Sequence, residues 1–186
     1  MNTAAVSYQI DRTTSRFVVR AFASGVLSAL GHNPTIAIRD FSGEAALEPE
    51  PWLRLRLRAD SLEITDDISD KDRREIERTM HQEVLQSSKY PEILYESTSV
   101  TLTPAGEGRW QTNVTGNVTL RGVTRGQNIA MQVSKTGDLL RANGEFTLPQ
   151  SSYGIKPVSV AGGTLKLKDE LKFTFDIVAR KQEAAE

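Results

Sequence analysis

The 186-residue sequence contains no cysteine. Disulfides, thiol catalysis and thiolate-held metals or iron–sulfur clusters are therefore excluded. Long apolar runs are absent too, and nothing approaches the ~18 residues of a membrane-crossing helix. Neither sign of charge is in excess: Lys+Arg 23 against Asp+Glu 24 leaves −1. That balance offers no footprint for nucleic acid or an anionic membrane. The opening MNTAAVSYQIDRTTSR has neither the basic start nor the apolar stretch of a signal peptide. The expected compartment is the cytoplasm, with the periplasm admitted only if the N-terminus has been trimmed.

What is present is the composition of a globular protein, 38% hydrophobic and 25% charged. A chain of this length buries roughly 70% of its unfolded surface on folding and needs no covalent staples. Residues 60–83 carry nine acids and four bases, a net of −5, so the remainder is +4 and dispersed. The acidic stretch is also where a helix is expected, over about 69–86. Ser69 can cap it, Asp70 and Asp72 suit the positive end of the helix dipole, and Ile76, Met80, Val84 and Leu85 form one apolar stripe. Pro91 lies beyond its end.

Nearly everything else alternates with period two. In Leu53–Ala59 the leucines take one face and Arg54, Arg56 and Arg58 the other. Leu171, Phe173, Phe175, Ile177 and Ala179 alternate with polar residues in the same way, as do Trp110, Val114, Val118 and Leu120. Shorter units hold Phe17 and Val19, Ile36 and Ile38, Ile129 to Val133, and Leu140 to Leu148. Such strands have one buried and one wet side, as in antiparallel sheets. The stretch 93–103 reads as extended but has apolar residues on both faces. Turns or strand ends are expected at Gly31–Pro34, Ser42-Gly43, Pro104–Gly108, Arg121-Gly122, Gly137-Asp138 and Gly162-Gly163. The fold expected is mainly β, an antiparallel barrel or sandwich of about eight strands with one inserted α-helix. Without repeats or linkers, the chain reads as one domain over 7–180 with a tail at 181–186.

Candidate chemistry is sparse. His32 and His81 are the only histidines, and neither has metal-ligand spacing. His32 is expected to brace its turn, and His81 to be a partly exposed helix residue. The run Asp66–Asp72 fails as a calcium loop because Ile68 and Lys71 occupy positions that need an oxygen ligand and a glycine. The G-x-S-x-G elbow is missing. Asn113 and Asn117, although in sequons, read as ordinary strand polarity. No metal and no cofactor is expected, and the plentiful carboxylates leave a glycoside-hydrolase pair open without singling one out. The inward list is Phe17, Val19, Ile36, Ile38, Leu55, Leu57, Trp110, Val118, Ile129, Met131, Ala142, Phe146, Leu148, Phe173 and Phe175. Either these side chains fill a solid core, or they line an apolar cavity for a hydrocarbon chain. Periodicity leaves both open. His32, Asn33, Tyr153 and Lys156 are the polar candidates for a rim.

Several blocks, in order, resemble the YceI-like, polyisoprenoid-binding family. They are Tyr8-Gln9-Ile10-Asp11 with Ser15-Arg16-Phe17, then Ser42-Gly43, then Ser88–Ile93 with Tyr95-Glu96-Ser97. Asn113–Thr124, Phe146–Ile155 and Leu171–Ala179 follow. The chain departs from the family at Thr14-Ser15, where His-Ser is usual, and in the variant turn Leu30–Pro34. The resemblance implies a lipocalin-like barrel that encloses an isoprenoid or other long-chain lipid without catalysis. A homodimer is admitted, with neither nucleic acid nor a membrane span. The alternatives are an enzyme acting on an apolar substrate, with His32 as acid or base, and a solid-cored interaction module.

Overall fold

The computed structural model describes residues 6–25, 33–160 and 165–182. The alternating segments become the strands of one antiparallel sheet that curls on itself. These are β1 (Ser7–Ile10), β2 (Arg16–Arg20), β4 (Thr35–Ile38), β5 (Phe41–Ala46), β6 (Trp52–Arg58) and β7 (Leu62–Ile64). The long strands β8 (Glu92–Pro104), β9 (Arg109–Leu120), β10 (Val123–Thr136), β11 (Leu139–Pro149) and β14 (Glu170–Lys181) follow. The order β1-β5-β6-β8-β9-β10-β11-β14, with β14 pairing back onto β1, makes a closed ring of eight strands. A second, small sheet joins β3 (Ala23–Ser24), β12 (Ser159–Val160) and β13 (Leu165–Leu167).

The ring is intact at one end and splayed at the other. β14 pairs with β1 through Ile10↔Ala179 and with β2 through Arg16↔Asp176, so β1 and β2 are two halves of one interrupted strand. The interruption is an Asx turn in which Thr13 donates to Asp11 through both its N–H and its hydroxyl. Ser15 Oγ receives Val178 N–H at 2.9 Å and bridges the gap. The second halves, β2, β4 and β7, continue the sheet away from the ring and leave β7 at its edge among the described residues.

The helix covers that edge. α1 (Asp70–Thr79) starts at Ser69, whose hydroxyl accepts Asp72 N–H as expected, and widens into a π-helical segment, Met80–Leu85. Met80 and Leu85 are buried, while Ile76 and Val84 are half-buried. Three side chains of this unit reach the backbone of β7. Glu77 Oε1 accepts Ile64 N–H at 2.9 Å, Arg73 donates to Ile64 O, and His81 Nε2 lies 3.0 Å from Leu62 O. A carbonyl only accepts, so His81 Nε2 carries a proton, and Nδ1 lies 3.3 Å from Ser87 Oγ. His81 is thus the partly exposed helix residue that was expected, and it also clasps the sheet edge.

Two expectations need correction, and one open orientation is resolved. Ser42-Gly43 lies inside β5 and is no turn. Gly43 is there because a Cβ would meet Arg54 O at 2.6 Å across the ladder. The two-sided apolar pattern of 93–103 arises from an irregularity between Ser97 and Ser99. Ile93 and Tyr95 point inward before it, and Val100 and Leu102 after it. The tail begins later than residue 181: Lys181 pairs with Tyr8, and Gln182 N–H still donates to Ser7 O.

Candidate functional site

The inward faces enclose two adjoining cavities. One, of about 120 Å3, occupies the closed ring and is walled by Leu55, Leu57, Tyr95, Val114, Val118, Ile129, Met131, Ala142 and Phe175 among others. The other, of about 320 Å3, lies between the splayed strands and the helix. Val19, Ile36, Ile38 and Leu62 form its sheet side, and Ile76, Met80, Val84 and Leu85 its helical side. Ile93, Leu120 and Phe173 line both and stand between them. Phe173 is held there by stacking on Phe146, with ring centroids 4.9 Å apart and planes 6° from parallel. The interior is therefore not filled. An apolar void of about 150 Å3 is known to stay dry and accept benzene. By that measure the two cavities together take a chain of roughly eighteen carbons.

The electrostatics differ between the two. No charged side chain lines the ring cavity among the described residues. Its Tyr95 hydroxyl donates to Gln127 O at 3.2 Å, and burial pushes the phenol up to about 12. The outer cavity adds Glu75, Thr79, Gln150 and Lys166 to its lining. Glu75 and Lys166 are exposed and so lie at its edge, whereas Gln150 is only 3% exposed. Gln150 Nε2 donates to Lys168 O at 3.1 Å, fixing the 3-10 turn Gln150–Tyr153 against the start of β14.

The inward residues expected from alternation divide between the cavities. Val19, Ile36 and Ile38 line the outer one, and Phe17, Leu55, Leu57, Val118, Ile129, Met131, Ala142, Phe146, Leu148 and Phe175 the inner. Phe173 lines both. Trp110 lines neither and packs half-buried at the end of β9. The expected rim does not assemble. Tyr153 is 2% exposed, a core residue whose phenol burial pushes up. Lys156 is exposed and outside both cavities. Asn33 Oδ1 accepts Ala23 N–H at 2.8 Å and ties a loop to β3. His32 lies outside the described residues. Alternation missed Gln150 because it sits in a turn, and Lys166 because β13 is too short to show a period. Thr112 was legible: strict parity along β9 places it between Trp110 and Val114 on the inner face.

A family profile, the YceI-like domain, matches residues 8–179. The chain belongs to the YceI-like family. Among solved structures, BcnA of Burkholderia cenocepacia superposes with a TM-score of 0.69 at 16% identity, covering 91% of this chain and 98% of that one. A polyisoprenoid binding domain from Saccharophagus degradans, implicated in plant cell wall breakdown, gives 0.68 at 12% identity, with 94% and 98% covered. The YceI protein of Campylobacter jejuni gives 0.59 at 14%, with 80% and 85% covered. At these identities the likeness is one of fold, and this YceI-like chain shares their barrel. No curated protein matches it.

Proposed function

We propose that this barrel binds and carries a long-chain apolar molecule, a polyisoprenoid or related lipid, and does so without catalysis. One domain over residues 7–180 is the binding unit, and the inward residues of the strands form its contact surface. The observation that supports this best is the pair of adjoining apolar cavities running from the closed ring to the splayed end. The family, and the polyisoprenoid-binding domain among its structural neighbours, point the same way.

Burying methylenes yields about 0.8 kcal/mol each, so roughly eighteen carbons give about 14 kcal/mol before ordering costs. Such binding is tight but indifferent to chain identity. The test fills the ring cavity from inside. Ala142 faces Val133 and Ile177 on its neighbouring strands and lines that cavity. Ala142→Phe is expected to abolish uptake of a fluorescent isoprenoid while far-UV circular dichroism stays that of the wild type. Organic extraction of the purified wild type, read by mass spectrometry, is expected to release a lipid that the variant lacks. A folded Ala142→Phe protein that binds as well as wild type overturns the reading.

A further inference from the structure

Thr112 breaks the apolar character of the ring cavity. It lies on the inner face of β9, is 3% exposed and lines the cavity. Its hydroxyl is the one buried side-chain polar atom without a hydrogen-bond partner among the described residues. The other hydroxyl on that wall, Tyr95 Oη, is already committed to Gln127 O. Buried hydroxyls in folded proteins are paired in the large majority of cases, because an unmade hydrogen bond costs the full desolvation of the group. A valine would fill the same volume without that cost, so the oxygen needs a partner from elsewhere.

Position supports the same conclusion. Thr112 pairs with Leu102 on β8 and Met131 on β10, and Val100, Val133 and Leu140 share its cavity. Leu120, which borders the outer cavity, is eight residues further along β9, a distance on the order of 27 Å along the strand. Thr112 therefore stands toward the end of the ring away from the helix. No cation lines the cavity around it among the described residues, so an ionised head group would be buried there without a counter-charge.

We infer that the Thr112 hydroxyl is a polar anchor that selects an uncharged lipid carrying one hydrogen-bonding oxygen, an alcohol, ether or carbonyl, seated with that oxygen at the ring end. This rests on the lipid-carrier reading above and adds the orientation and head-group class that the apolar walls cannot supply. A threonine hydroxyl both donates and accepts, so any of these oxygens satisfies it.

The experiment compares farnesol with farnesene, the same skeleton with and without a hydroxyl, by native mass spectrometry and by competition against a fluorescent isoprenoid. Wild type is expected to favour farnesol by about fivefold to tenfold, the worth of one buried hydrogen bond. Thr112→Val should bind farnesene as wild type does and lose the preference, while Thr112→Ser should keep it. With bound lipid first extracted from both proteins, the valine variant should also melt at the wild-type temperature or above, since it removes an unsatisfied group. A preference that survives in Thr112→Val, or a clear fall in its melting temperature, overturns the anchor and leaves the carrier reading standing. Failure of wild type to take up either compound overturns both.

Discussion

Tyr95 and Gly116 act as a pair. A Cβ on Gly116 would lie 2.6 Å from the Tyr95 hydroxyl and 2.5 Å from Glu96 O. The bare glycine lets the phenol cross the sheet backbone and reach Gln127 O. Because burial lifts the folded phenol to about 12 while an unfolded tyrosine ionises near 10, the folded state holds the proton more tightly. The resulting stabilisation is complete below about pH 10 and is lost as pH rises through about 12. Urea midpoints of wild type should therefore fall across that window more steeply than those of Tyr95→Phe. Parallel curves for the two proteins would place the loss on other groups. At neutral pH, Tyr95→Phe should cost about 1 kcal/mol for the hydrogen bond. At this scale the sequence was partly legible. Parity along β9 would have put Thr112 inside, though the inward list omitted it. Nothing in a linear string marks Gly116 as the slot for a tyrosine two strands' width from its acceptor.

The helix illustrates what a pattern can and cannot carry. Ile76, Met80, Val84 and Leu85 announced its buried stripe, and Ser69 its start. The polar side looked uniformly solvated, yet Arg73 and Glu77 bond the backbone of β7. Their reach depends on which strand ends up beside the helix, which is a property of the tertiary fold. Met80→Ala should cost roughly 2–5 kcal/mol in chemical denaturation. Arg74→Ala and Arg78→Ala, on exposed residues, should stay within about half a kcal/mol. Arg73→Ala should separate from these two and cost about 1–3 kcal/mol, because it strands a carbonyl of a partly buried edge. Equal effects for Arg73 and Arg74 would deny the clasp. The strand β8 shows the opposite case: its extended nature was plain, but one irregularity at Ser97–Ser99 reversed the parity and hid which face was inner.

The barrel as a whole depends on β14, which pairs with β11 along its length and with β1 and β2 on its other side. Alternation in Leu171–Ala179 made the strand obvious, while its three partners were not, since period two says nothing about neighbours. The Thr13 hydroxyl and then Arg180 Nε, which bonds Asp11 Oδ2 at 2.9 Å, lower the Asp11 carboxyl to about 2. Removing Glu170–Lys181 would leave β11, β1 and β2 as open edges, so that variant should aggregate in size-exclusion chromatography. A circular permutant that joins residues 6 and 182 by a short linker and opens at Gly106-Glu107 should remain monodisperse and folded, because every strand pair survives. An aggregating permutant with intact strands would show that chain order, not pairing, governs assembly. The Arg180–Asp11 contact spans 169 residues of sequence. On a ribosome adding about 5–20 residues each second, β1 waits on the order of ten seconds or more before the strand that seals it exists. For that interval the nascent chain holds greasy, unpaired ribbons in the open, so a chaperone or a fatty ligand can reach the interior before the ring has ever been shut.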